Sequence, residues 1–389
     1  MERYDAIVVG SGPAGSTAAF RLASAGASVL LLDKARFPRD KPCGGGVSGR
    51  AARVLPFSID PVVEDRIEVL DCRLAYGRRF ERRARRQVVL MTQRRRLDEF
   101  LVRRAAAAGA EIRQGADVRH VRPDGLTVDG VPFSTRVLIG ADGCNGTSAR
   151  ALGLGGAVLH CVGIEANVPY GDLRRDRYRS RMVLEIAVLP GGYGWIFPKA
   201  DHLNVGVFGW RSEGPRLRGH LTRLCAEHGI DPAAAKDARG YRLPMHGPHS
   251  RLARDSAVLV GDAAGLVDPF SGDGMYEAFL SAKLAAGAAL DLLAGRADGL
   301  DSYEREIARR VTPLTAAGWG AKAAFDRFPR TTFALARLPI TWWALEKLLA
   351  GELSHPGAAR GLERAAMRAI YAVARRAGDP GRKYLPSTP

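Results

Sequence analysis

Asp5-Ala6-Ile7-Val8-Val9-Gly10-Ser11-Gly12-Pro13-Ala14-Gly15 runs from an apolar stretch into a glycine-rich turn, and Ser28-Val29-Leu30-Leu31-Leu32-Asp33 follows a helix-compatible segment that ends at Ala25. The order is strand, turn, helix, strand, the context in which a G-x-G-x-x-G match carries information. Gly10 permits the tight turn, Gly12 lets the backbone approach a pyrophosphate, and Gly15 allows the helix to pack closely on the strand, its N-terminus toward the phosphates. Asp33 ends the second strand, where a carboxylate accepts hydrogen bonds from an adenosine ribose. A plain glycine-rich turn requires no acid there. The stretch sets the fold class as α/β, built on a Rossmann-type dinucleotide-binding domain.

Two later runs, Val137-Leu138-Ile139-Gly140-Ala141-Asp142-Gly143 and Ala257-Val258-Leu259-Val260-Gly261-Asp262-Ala263-Ala264-Gly265, are buried-strand patterns that end in an aspartate loop. Asp268-Pro269-Phe270-Ser271-Gly272-Asp273-Gly274-Met275 then leads into an alanine-rich helix that reaches about Ala294. Glycines at 272 and 274 free backbone N–H groups at that helix start, where the helix dipole favours negative charge. In Lys41-Pro42-Cys43-Gly44-Gly45-Gly46-Val47-Ser48, three consecutive glycines suit neither helix nor strand interior and point to close approach of a flat, bulky group. Cys43 is either a proton donor at that face or a small buried hydrophobe.

Leu189-Pro190-Gly191-Gly192-Tyr193-Gly194-Trp195-Ile196-Phe197-Pro198-Lys199 alternates aromatic with small or aliphatic residues. On a strand, Tyr193, Trp195 and Phe197 share one face, a rigid wall suited either to a sheet core or to a long apolar ligand. Its P-x-x-Y-x-W-x-F-P pattern resembles the signature of the geranylgeranyl reductase family, FAD enzymes that saturate isoprenoid double bonds. The G-A-D-G and G-D-A-A-G runs resemble motifs of the aromatic hydroxylase-like flavoprotein superfamily that contains it.

The resemblance implies FAD as cofactor, with Gly10, Gly12, Ala14, Gly15 and Asp33 at its adenine-diphosphate half. Gly44, Gly45, Val47, Gly272, Gly274 and Met275 are implied beside the flavin ring, and Asp262 at the ribityl chain. Asp142 is expected to support the cofactor loop and domain packing. Arg94, four residues before Asp98, maps onto an FAD-contacting arginine, while Arg95 and Arg96 are expected in solvent. Val118, toward the end of an expected strand from Glu111 to Val121, matches the place where the backbone reads adenine. Tyr193, Trp195 and Phe197 are the implied substrate wall, and Tyr193 and Cys43 the candidate catalytic proton donors. The electron donor is NADPH or a reduced ferredoxin. Gly206-Val207-Phe208-Gly209 stands where the family has a G-x-G soon after the proline, which reshapes the pocket floor.

The implied reaction is saturation of a polyprenyl chain carried on a lipid, diphosphate, chlorophyll precursor or quinone. A flavin-dependent monooxygenase shares every cofactor motif and is the alternative, followed by a non-catalytic FAD- and isoprenoid-binding protein. Halogenases are disfavoured because their Trp-x-Trp-x-Ile-Pro pattern is absent.

At 389 residues the chain holds two to three domain-sized units. An interleaved build is expected: 1–65, 91–156 and 246–300 form the FAD-binding domain, 66–90 and 157–245 an antiparallel-sheet substrate domain, and 301–389 a helical region. Five dispersed cysteines indicate neither a disulfide framework nor zinc, and no metal site is expected; His246 and His249 are read as surface or loop residues. With 58 Lys+Arg against 41 Asp+Glu the net charge is +17, which suits anionic small molecules, a lipid surface or an acidic redox partner, while no motif supports nucleic acid. Runs such as Arg82-Arg83-Ala84-Arg85-Arg86 read equally as a solvated face. No apolar window reaches membrane-spanning length and the N-terminus enters a strand at once, so a cytoplasmic chain is expected. Leu362, Ala366, Ala369, Ile370 and Val373 lie opposite Arg360, Arg364, Arg368 and Arg375 on an expected helix from Ala358 to Arg376, suited to capping the fold or to peripheral membrane contact.

Overall fold

The strand Glu2–Val9 goes from exposed at its start to buried over Ala6–Val9 and forms the middle of a twisted sheet. It pairs in parallel with Val131–Gly140 on one side and Val29–Asp33 on the other. Ala257–Leu259 and Glu111–Gln114 extend the parallel set at either end. Val29–Asp33 is buried at every residue, as a parallel strand covered on both faces must be. The helix Pro13–Ser24 covers this sheet together with Arg94–Ala107 and Met275–Leu293, which both pack on it. The chain is described by a computed structural model over residues 2–352, apart from 157, 172, 236, 248 and 249, together with Gly361 and Arg364. Those two residues excepted, the expected helix from Ala358 to Arg376 lies outside the described residues, as does His249.

A second sheet of seven strands runs in the order Arg239–Met245, Leu159–Pro169, His202–Trp210, Tyr193–Pro198, Arg181–Ile186, Val69–Leu74, Arg78–Arg83. All its neighbours are antiparallel except Arg181–Ile186 with Val69–Leu74. Two separate passes of the chain thus build one sheet. Its two faces sort by the period-two rule. Ile196, Leu203, Val205 and Val207 pack under Leu217, Leu221 and Leu224 of the helix Leu217–Glu227. Trp195, Phe197, Phe208 and Trp210 point to the opposite side, toward Trp319, Phe333 and Trp342 of the C-terminal helices.

Three short strands, Gly46–Ser48, Val89–Thr92 and Val63–Ile67, make a small third sheet that the sequence pattern did not reveal. The expected strand from Glu111 to Val121 is also two: Glu111–Gln114 pairs with Val29–Asp33, and Val118–Arg122 starts a hairpin. The break falls at Gly115, whose φ of +75° turns the chain. From Asp301 to Ala350 the chain is helical: Asp301–Arg310, Thr312–Arg327, Pro329–Ala336 and Pro339–Ala350. Among the described residues, no helix is long and apolar enough to cross a membrane.

Tyr303 ties the first of these helices to the parallel sheet, its fully buried hydroxyl donating to the Leu259 carbonyl at 2.6 Å. Tyr303→Phe leaves that carbonyl without its partner and is expected to cost about 1–2 kcal/mol, read as a lower melting temperature with flavin content unchanged.

Candidate active site

Gly10 and Gly15 are sterically obligatory. A Cβ at Gly15 would lie 1.8 Å from the Gly10 carbonyl oxygen, and one at Gly10 would lie 2.4 Å from the Ala141 oxygen. Gly12 is different: a Cβ there would meet only Arg39 Nη2 at 3.7 Å and Arg94 Nη2 at 3.9 Å. The first turn of the helix Pro13–Ser24 therefore faces two guanidinium groups across open space, the donor set that a diphosphate needs. Ala14 packs toward the Gly261–Gly265 loop, where a Cβ at Gly261 would touch its methyl at 3.0 Å.

Arg94 is buried and forms a bidentate pair with Asp98, both contacts at 2.8 Å. Arg39 Nη1 joins at 3.0 Å, and its Nη2 lies 3.6 Å from Asp33. Arg39 was not singled out from sequence, whereas the spacing of Arg94 four residues before Asp98 was, and on one helix that spacing pairs them. Arg95 and Arg96 are exposed, and Arg96 also pairs with Glu64 at 3.0 Å. The Asp33 carboxylate accepts from Ser11 N and Ser11 Oγ at 2.9 and 2.7 Å and from Ala35 N at 2.8 Å, so it braces the glycine turn. Asp142 Oδ2 caps the following helix, accepting from Thr147 N at 2.8 Å and from Ser148 N and Oγ at 2.9 Å.

Asp262 lies 3.1 Å from Lys41 Nζ, and a Cβ at Gly274 would sit 3.2 Å from its Oδ1. The Met275 amide donates to Asp273 Oδ1 at 2.8 Å, and the Met275 side chain is buried with Val47, Leu90 and Phe279. Val47 is fully buried in that cluster, and Val118 packs on the core of the parallel sheet. Gly272, at φ +66°, lays the loop over Phe208, a Cβ there being 3.3 Å from the ring.

The alternation of Tyr193, Trp195 and Phe197 puts all three rings on one face, with centroids 6.3 and 6.1 Å apart in sequence. Phe208 meets Tyr193 edge-on at 4.7 Å. The Cys43–Gly46 loop lies on this wall, since a Cβ at Gly44 would come within 2.9 Å of Phe197 and 3.4 Å of Trp195 Nε1. Trp195 Nε1 donates to Asn204 Oδ1 at 2.8 Å. The Tyr193 hydroxyl donates to the Ser271 carbonyl at 2.6 Å, and burial first, then Asp273 and Asp268, push it well above the ordinary phenol range. Gly206, in the stretch that departs from the family pattern, lies directly under the Trp195 indole, where a Cβ would be 2.1 Å from Cζ2.

Two buried ionisable side chains that sequence reasoning missed clamp the glycine loop. Lys199 Nζ donates to the Gly44 carbonyl at 2.7 Å and to the Thr92 carbonyl at 2.9 Å. Glu165 Oε1 accepts the Cys43 N–H at 2.8 Å. The signals were there: Lys199 follows Pro198 at once, and Glu165 interrupts the apolar run Val162-Gly163-Ile164-Glu165-Ala166. His246, read as a surface or loop residue, lies in a loop but is buried, its carbonyl accepting from Trp319 Nε1 at 2.9 Å, and burial lowers its imidazole to about 4.

Burial pushes the Glu165 carboxyl up to about 7, against the pull of the Cys43 N–H, Asn204, Lys199 and Arg239. Burial also draws Lys199 down to about 8, opposed by Cys43, Glu64, Glu165 and Asp65. The folded state therefore holds the Glu165 proton more tightly than the unfolded chain does. Its contribution is full below the ordinary carboxylate range and is lost as pH rises through about 7. The penalty of ionising it at pH 8 is on the order of 3 kcal/mol. Lys199 has the opposite sign and a higher window, its cost falling as pH rises from about 8 toward the ordinary lysine range. Glu165→Gln is thus expected to melt near the wild type at pH 4.5 and above it at pH 8, checked by thermal melts across that range.

The open space at Gly12, its two guanidiniums and the glycine loop against the aromatic wall fit an FAD molecule in charge and shape. A family model described as FAD binding domain matches residues 3–317. The geranylgeranyl diphosphate reductase of Rhodobacter capsulatus is 34% identical over 306 residues, spanning 75% of this chain and 76% of that protein. The digeranylgeranylglycerophospholipid reductase 2 of Methanopyrus kandleri is 31% identical over 314 residues, 75% and 78% of the two chains. A geranylgeranyl bacteriochlorophyll reductase-like structure from Thermoplasma acidophilum superposes with a TM-score of 0.78 at 22% identity, covering 97% of this chain and 98% of its own. The chain belongs to the geranylgeranyl reductase family of FAD-dependent oxidoreductases.

Proposed function

We propose that this protein saturates carbon–carbon double bonds of a polyprenyl chain. The observation that carries the reading is the wall of Tyr193, Trp195 and Phe197, set on the sheet face that receives the Cys43–Gly46 loop. Flat rings bury much apolar area with little loss of side-chain entropy, which suits an extended isoprenoid without polar handles.

In this reading Gly10, Gly12, Ala14 and Gly15, with Asp33, Arg39 and Arg94, hold the adenine-diphosphate half of FAD, and Val118 lies by the adenine. Asp262 holds the ribityl chain, and Gly44, Gly45, Val47, Gly272, Gly274 and Met275 surround the ring. Reduced FAD supplies the hydride that a double bond takes up, with NADPH or a reduced ferredoxin as the source of electrons. The chain's own residues seat the alkene, exclude water and bring a proton to the second carbon. Lys199 and Glu165 keep the Cys43–Gly46 loop on the wall. The Tyr193 proton is engaged by the Ser271 carbonyl, so Tyr193→Phe is expected to keep turnover within about threefold of wild type, measured as product formed under saturating substrate.

The test is anaerobic. The purified protein is reduced with dithionite, mixed with geranylgeranyl diphosphate or a polyprenyl quinone, and followed by flavin absorbance and product mass. Reoxidation with a gain of two mass units per bond supports the reductase. A flavin that stays reduced until oxygen enters, followed by a product that has gained oxygen, overturns it in favour of a monooxygenase.

A further inference from the structure

Glu165 stands on the aromatic face of the seven-stranded sheet. Its register partner is Gly206, whose own partner on the next strand is Trp195, so the three form one row across the sheet. Because Gly206 has no side chain, the Trp195 indole lies across it toward Glu165. One row along, Gly163 is covered by the Tyr241 ring, a Cβ there being 2.8 Å from Tyr241 Cζ. The carboxyl is 4% exposed, with Tyr241, Asn204, Lys199 and Arg239 acting on it. Oε1 accepts the Cys43 N–H, while Oε2 is buried without a hydrogen-bond partner.

Clamping the loop needs one acceptor oxygen, which glutamine supplies equally well. A buried carboxyl whose second oxygen has no hydrogen-bond partner, even with Asn204, Lys199 and Arg239 acting on it, costs stability that the clamp does not require. That cost is explained if the second oxygen carries a proton for use. We propose that Glu165 is the proton donor of the reduction, acting from Oε2 on the alkene carbon opposite the one that receives hydride. The proposal rests on the polyprenyl reading. The π bond breaks and two C–H bonds form, one from the hydride that reduced FAD supplies and one from the Oε2 proton. Glu165 is left as carboxylate and regains its proton from water.

Burial holds this carboxyl near 7, against Cys43, Asn204, Lys199 and Arg239, so it carries a proton in much of the population at neutral pH. Tyr241, which also faces it, is pushed far above the phenol range by burial and by Glu165, Cys43 and Tyr193, and stays neutral.

Two measurements on the holoprotein test this. The first needs no turnover: infrared or carbon-13 titration of glutamate-labelled protein is expected to show a buried carboxyl with a midpoint near 7 that Glu165→Gln removes. A spectrum in which Glu165→Gln removes no signal titrating above 5 overturns the proposal. The second is the anaerobic single turnover with geranylgeranyl diphosphate. Glu165→Gln is expected to hold FAD and substrate within about twofold of wild type and to reoxidise roughly a hundredfold more slowly or worse, with partial recovery in Glu165→Asp. Wild-type rates in Glu165→Gln overturn the assignment alone. A wild-type flavin that stays reduced with the polyprenyl substrate overturns the reaction itself, and the donor role with it.

Discussion

Gly15→Ala is expected to yield folded protein that purifies without its yellow colour. The new methyl would sit 1.8 Å from the Gly10 carbonyl oxygen and 3.1 Å from the Ala141 methyl, and neither is the free end of a side chain. The helix Pro13–Ser24 has to move off the strand, which carries its N-terminal amides away from the space at Gly12. Overpacking of this kind costs about 1–3 kcal/mol, and its upper end corresponds to roughly a hundredfold in affinity when it falls on the bound state. Gly287→Ala is the control: it lies exposed in the helix Met275–Leu293 with nothing within 4 Å of its Cβ. That variant is expected to gain about 0.5–1 kcal/mol from helix propensity and keep its flavin. The ratio of flavin to protein absorbance after gel filtration, with circular dichroism for the fold, checks both.

Arg94→Leu is expected to lower stability by about 3 kcal/mol, because it strips the bidentate partner from an Asp98 that has no solvent exposure. Arg39 remains at 3.0 Å from that carboxylate, which keeps the loss at the low end of the range for broken buried pairs. With an unfolding entropy of about 2 cal/mol/K per residue over 389 residues, the melting temperature falls by roughly 4 °C. Arg94→Leu with Asp98→Leu removes both charges and is expected to recover most of the stability, yet not the flavin affinity, since the guanidinium facing Gly12 is still gone. Recovery of both would assign Arg94 a structural role only. The pair of readouts separates holding the helix from holding the cofactor.

Patterns of short range were legible before any coordinates. The glycine turn, the apolar strands that end in Asp33 and Asp142, and the helix from Met275 each depend on neighbours within a few residues, through φ preference, periodicity and capping. The single-face placement of Tyr193, Trp195 and Phe197 follows from the two-residue period of any strand. Other features were hidden because their partners are far apart in the chain. The third sheet joins Gly46–Ser48 to Val89–Thr92, and nothing local marks three residues as a strand. Glu165 and Cys43 are 122 residues apart, and so neither announced the other.

What the amino-acid sequence determined alone is the dinucleotide-binding core and the presence of an aromatic strand, since steric limits on glycine turns and side-chain alternation act on the chain wherever it folds. What only the tertiary structure decided is what that strand faces. The register of Glu165, Gly206 and Trp195 and the arrival of the Cys43 loop turn one sheet face into an enclosure. There, loss of water turns an ordinary carboxylate into a group that keeps its proton near neutral pH.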